Sequence, residues 1–110
     1  MSQAAILVVE DDSDLRDALC ATLTIAGYST DGARDGLSAL EHLDRQPYAL
    51  VLSDVQMRAM DGHALLKNIK TKHPDLPVLL MTAYGTVQKA VQAMREGAVD
   101  YLSSRLRRKL

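Results

Sequence analysis

The sequence predicts a single α/β domain, a parallel sheet flanked by helices. Three observations carry that expectation: short apolar runs that read as buried strands, helical apolar spacing between them, and connections of only a few residues. Ala5–Val9 is the first such run and ends in Glu10, Asp11 and Asp12. From Asp14, the residues Leu15, Ala18, Leu19, Leu23 and Ala26 recur at helical spacing, with Ser13 or Asp12 available as N-cap and Gly27 as the stop. Tyr28–Ala33 is a weaker strand, and Asp35–Asp44 a helix with Leu37, Leu40 and Leu43 on one side. Ala49–Asp54 is the central strand. Its apolar residues Ala49, Leu50, Val51 and Leu52 suit burial on both faces, and Asp54 stands at its carboxyl end.

A loop over Gln56–Gly62 leads to a helix over His63–His73, with Leu65, Leu66 and Ile69 inward and Pro74 closing it. Pro77–Met81 is the fourth strand, with Thr82 at its end. Gly85 and Thr86 start a helix with Val87, Ala90, Val91 and Met94 inward and Gly97 as terminator, and Val99–Leu102 is the fifth strand. Five strands alternating with four helices imply βαβ units and right-handed crossovers. There is no internal repeat, linker or low-complexity segment.

The 110 residues, 47% hydrophobic and 25% charged, suit one domain with its own core. No apolar run approaches the roughly 20 residues that span a bilayer, and no signal-peptide pattern opens the chain, so a cytoplasmic location and no membrane partner are expected. Cys20 is the sole cysteine, on the apolar face of the first helix, and the three histidines do not cluster at metal-ligand spacing. The formal charge of −1 hides an asymmetry. Arg105, Arg107, Arg108 and Lys109 crowd the last positions, so residues 1–104 hold nine basic residues against fourteen acidic ones. An acidic body offers no broad positive face to phosphates, and direct nucleic-acid binding is not expected.

An acid at the carboxyl end of a buried parallel strand lies where such sheets bind ligands, although an Asp there also caps turns. If the first, third and fourth strands are neighbours, Glu10, Asp11, Asp12, Asp54 and Thr82 share one pocket. Carboxylates so close repel, and a divalent cation relieves the repulsion; an all-oxygen set without histidine or cysteine favours Mg²⁺ over zinc. The plain alternative is an acidic loop cluster with no metal. Beside Mg²⁺, the ionised Asp54 can attack phosphorus to form an acyl phosphate, with the Thr82 hydroxyl donating to a phosphoryl oxygen.

These residues resemble the receiver domain of bacterial two-component response regulators. The resemblance rests on VVEDD after the first strand, LVLSDVQMRAMDG around Asp54, LPVLLMTAYG at the fourth strand and AMREGAVDYL before the fifth. Residues 79–102 are most similar to the sigma-54-dependent activators of the nitrogen-regulation and flagellar type. The resemblance implies a flavodoxin-like, doubly wound five-stranded sheet of order 2-1-3-4-5. It also implies Asp54 as phospho-acceptor, Asp11, Asp54 and the Gln56 carbonyl as Mg²⁺ ligands, Glu10 reaching the metal through water, and Asp12 as an indirect contributor. Thr82 would move toward the phosphoryl group and Tyr101 would turn into the space it leaves, although Tyr101 also reads as an ordinary strand aromatic. A histidine kinase is the implied partner and phosphoryl donor. The domain is implied to be a phospho-acceptor rather than a turnover enzyme.

Three features depart from the family. Ser104 stands where the family has a lysine that pairs with the acceptor carboxylate; two unit charges about 4 Å apart interact by roughly 4 kcal/mol at an effective dielectric near 20, before desolvation. Arg105 or Arg107 is a poor substitute, since one step along a strand points to the other face. Arg58 stands where proline is common, which loosens the loop beside Asp54. RLRRKL is too short for the family's final helix, so that helix is expected to be missing or rudimentary and residues 1–110 to form a receiver truncated at its C-terminus. Sheet surface left uncovered would favour a homodimer or an oligomer that exchanges elements. Two other functions fit less well. One is a pseudo-receiver that binds partners without phosphorylation, suggested by Ser104. The other is a Mg²⁺-dependent phosphohydrolase, disfavoured because Asp54-Val55-Gln56 lacks a second acid.

Overall fold

In a computed structural model, residues 4–83 and 85–103 are described. Five strands, β1 (Ala5–Val9), β2 (Thr30–Ala33), β3 (Tyr48–Asp54), β4 (Val78–Thr82) and β5 (Asp100–Ser103), alternate with helices α1 (Ser13–Ile25), α2 (Gly36–Arg45), α3 (Gly62–Lys72) and α4 (Val87–Arg95). All pairings are parallel and the order is β2-β1-β3-β4-β5, as the resemblance implies. Reversal of direction at β1 and β3 places their carboxyl ends side by side, the crevice where such sheets hold ligands. The final helix and the oligomer expected without it turn on residues 104–110, outside the described set.

Leu7, Val9, Val51, Val78 and Leu80 face one side of the sheet and bury against Ala39, Leu43, Leu65, Leu66, Ile69 and Ala93 of α2, α3 and α4. On the other side Ile6, Val8 and Leu52 pack with Leu19, Cys20 and Leu23 of α1. No α1 residue is fully buried, and Leu15 remains 45% exposed. Gly27 at φ +104° and Gly97 at φ +108° end α1 and α4 in the left-handed region, which explains both glycine stops.

Two expectations need correction. Tyr28 is not in β2, because its N–H turns back to the Leu23 carbonyl at 3.1 Å in closing α1. The inward face of α4 also differs. Val87, Val91 and Met94 are 81%, 46% and 48% exposed, while Ala93 is fully buried and Ala90 half-buried. A small-residue face lets this short helix sit close to its neighbours, so the bulkier side chains project outward, which apolar periodicity alone does not distinguish.

Candidate functional site

The continuous apolar runs of β1 and β3 make central strands, and each delivers its acids to the same rim. Carboxylate oxygens of Glu10, Asp11 and Asp54 lie within 4.8 Å of one another. Glu10 is 1% exposed, Asp54 is half-buried and Asp11 is exposed, so the cluster opens outward through Asp11. A 300 Å³ cavity beside it brings Glu10, Asp54, Gln56 and Thr82 together, walled by Leu15, Leu19, Met81 and Leu102. The Gln56 N–H donates to Asp54 Oδ1 at 3.2 Å, which orients the carboxylate. Thr82, 5% exposed, ends the neighbouring strand.

Asp12 lies outside the three-carboxylate cluster. Its Oδ1 accepts from the N–H groups of Asp14 at 3.0 Å and Leu15 at 3.3 Å and caps α1, and its own N–H donates to Glu10 Oε2 at 3.0 Å. The remaining Glu10 oxygen, Oε1, is buried with no hydrogen-bond partner among the described residues. An orphaned acceptor facing two further carboxylates is the kind of donor set that suits a hard, oxygen-seeking divalent cation, and among the described residues no histidine or cysteine joins it.

Burial, reinforced by the neighbouring Asp11 and Asp54 carboxyls and the Asp54 charge, pushes the Glu10 carboxyl up to about 8 from 4.5, against the lowering effect of the Asp12 N–H. A group that holds its proton more tightly when folded stabilises the fold at low pH and loses that contribution as pH rises through the folded value. In EDTA, unfolding free energy measured by denaturant titration should therefore fall between about pH 5 and pH 8, by on the order of 2–4 kcal/mol, and Glu10→Gln should flatten the decline. An equal decline in that variant would refute the assignment.

Tyr101 of β5 packs against the main core, with its ring centroid 6.1 Å from that of His63 at the start of α3. His63 Nδ1 lies 3.3 Å from Glu96 Oε1 just after α4, and Lys67 Nζ lies 3.5 Å from Glu96 Oε2. Burial alone would raise the Glu96 carboxyl; hydrogen bonds from His63 and Gln92 and the Lys67 charge hold it below its ordinary value. Sequence spacing did not reveal this junction, since its partners are 33 positions apart. The Tyr101 hydroxyl is buried with no partner among the described residues, and burial raises its pKa. Tyr101→Phe removes a desolvated hydroxyl and nothing it bonds, so it should raise stability by about 1 kcal/mol in thermal unfolding; destabilisation would show that the hydroxyl has a partner. Ser104, Arg105 and Arg107 lie outside the described residues.

Residues 6–109 match the response regulator receiver domain family. The chain is 54% identical over 99 residues to the response regulator protein FleR of Pseudomonas aeruginosa, covering 90% of this chain and 21% of that protein. It is 43% identical over 102 residues to the DNA-binding transcriptional regulator NtrC of Escherichia coli, covering 93% of this chain and 22% of that protein. The chain thus spans about a fifth of the length of these curated relatives, which bear out the resemblance to the sigma-54-dependent activator type. Among solved structures, the receiver domain of NtrX from Brucella abortus superposes with a TM-score of 0.82 at 41% identity, over 90% of this chain and 84% of that one. Chemotaxis protein CheY4 of Vibrio cholerae does so at 0.88 with 27% identity, over 99% and 100%.

Proposed function

Because the chain belongs to the response regulator receiver domain family, we propose that it is a phospho-accepting signalling module in which Asp54 takes a phosphoryl group from a histidine kinase. The observation that carries the reading is the convergence of Glu10, Asp11 and Asp54 beside Thr82, with a buried Glu10 oxygen left over. Residues 1–110 form the receiver, working in the cytoplasm, and any contact with DNA or transcription machinery belongs to other parts of a longer regulator.

Asp54 is the nucleophile. The Gln56 N–H fixes one of its oxygens, and the other attacks phosphorus in line. As the new O–P bond forms, the P–N bond to the donor imidazole breaks, and its electron pair and a proton remain with the imidazole. Asp11, Asp54 and the Gln56 carbonyl would hold Mg²⁺, with Glu10 reaching it through water, and the ion would supply charge neutralisation for the phosphoryl oxygens. The Thr82 hydroxyl donates to one of those oxygens. Phosphorylation adds about −2 of charge with strong acceptors, enough to draw Thr82 inward and let Tyr101 reposition, biasing the surface of α4 and β5.

Incubation with acetyl phosphate and Mg²⁺ tests the proposal. The expected result is the mass gain of one phosphoryl group, lost in EDTA, with borohydride reduction converting residue 54 to homoserine. Absence of any gain would favour the pseudo-receiver reading that Ser104 motivates.

A further inference from the structure

We propose that Arg16 is a positioning residue for the acidic loop, seated by a lane that Gly32 leaves open across β2. The inference deepens the metal reading above and rests on it for its effect on Mg²⁺.

Arg16 lies in the first turns of α1, where a sequence reading would leave it as a solvated charge. Instead its side chain runs back six positions, and Nη1 donates to the Glu10 backbone carbonyl at 2.7 Å. On the other side of the same residue, the Glu10 N–H donates to the Ala33 carbonyl at 3.0 Å, the last rung between β1 and β2. The Glu10 side chain, in turn, accepts the Asp12 N–H. Glu10 is therefore held at its N–H, its carbonyl and its carboxylate, and the direction in which Asp11 leaves the strand follows from that hold. A short, charge-assisted bond suits the task, because guanidinium keeps its charge and its planar donors at any working pH.

The seat is as specific as the bond. Gly32 pairs with Val8 inside β2, the edge strand of the sheet, where a glycine weakens a strand unless something must pass close by. A Cβ at Gly32 would lie 3.1 Å from Arg16 Cδ and 3.3 Å from Cγ. Two residues earlier, the Thr30 hydroxyl lies 3.3 Å from that of Thr24, so this face of β2 looks onto α1. The missing side chain is the lane along which the arginine stem reaches the acidic rim.

The test uses Arg16→Met, Gly32→Val and the double variant, each followed by amide NMR. In EDTA, amide exchange at Asp11 and Asp12 should accelerate roughly tenfold in each single variant, while the amides of Leu65, Leu66 and Ile69 keep their rates, which separates loss of loop order from global destabilisation. Under Mg²⁺ titration, the dissociation constant should rise roughly tenfold in each single variant, in the range typical of lost supporting contacts, with Arg16→Lys intermediate. The double variant should exceed either single by no more than about twofold, since both remove one contact. Should Gly32→Val fail to fold, Gly32→Ala carries the same test. Unchanged Asp11 and Asp12 exchange in Arg16→Met would overturn the proposal, as would effects that multiply in the double variant. A parent protein blind to Mg²⁺ would instead overturn the metal reading, and exchange in EDTA would still decide the role of Arg16.

Discussion

Asp54→Asn should abolish phosphoryl incorporation from acetyl phosphate, a fall of at least about a thousandfold, while leaving the domain folded. The carboxamide keeps an oxygen for the Gln56 N–H, so the loop that follows β3 retains its 3.2 Å anchor. What it loses is the anionic oxygen that attacks phosphorus and the negative charge beside Glu10. Because the Asp54 charge penalises ionisation of the buried Glu10, the variant in EDTA should be more stable than the parent, by on the order of 1 kcal/mol near neutral pH. Its affinity for Mg²⁺ should fall for the same reason. Lost incorporation with unchanged or increased stability assigns Asp54 to the chemistry; lost incorporation with lost structure would not. Full incorporation in the variant would move the acceptor elsewhere and remove the basis of the proposed function.

The fold was legible because the strands are continuous apolar runs in strict alternation with helical spacing, and the acids at the ends of β1 and β3 were legible for the same reason. Once two buried parallel strands are neighbours, Glu10, Asp11 and Asp54 have few other places to go. What stayed hidden depends on close approach between segments. Asp12 reads like its two neighbours but spends its carboxylate on the N-terminus of α1. Arg16 reads as surface but bonds the Glu10 carbonyl. On α4, apolar spacing selects Val87, Ala90, Val91 and Met94, whereas packing keeps only Ala90 of these and adds Ala93, because helix separation is set by the smallest side chains at the contact. The available signal was glycine: Gly32 within a strand and Gly62 at a helix start each mark a place where something passes too close for a Cβ.

Gly62→Ala makes that signal measurable. By local propensity the change should help, since alanine in a helix is favoured over glycine by about 1 kcal/mol, and Asp61 already caps α3 by accepting the Ala64 N–H at 2.9 Å. The surroundings reverse the sign. The Gly62 N–H donates to the Val55 carbonyl at 2.8 Å, drawing the helix start onto the chain just after β3, and an added Cβ would stand 2.6 Å from the Asp54 carbonyl oxygen and 2.8 Å from Val55 Cα. These are backbone atoms and cannot swing aside as a side chain can. Either α3 lifts or the backbone bearing the proposed acceptor moves, with a net loss of about 2–3 kcal/mol in denaturant titration. Since displacement by about 1 Å can cost a hundredfold in a positioned reaction, phosphorylation should slow by more than tenfold even where the variant remains folded. Gly27→Ala is the control. Gly27 needs its freedom only for φ +104° and has nothing within 4 Å of a built Cβ, so the change should cost about 1–2 kcal/mol and leave the phosphorylation rate of the folded protein unaltered. Equal phosphorylation rates in the two folded variants would show that Gly62 serves the turn alone and that the start of α3 does not set the position of Asp54.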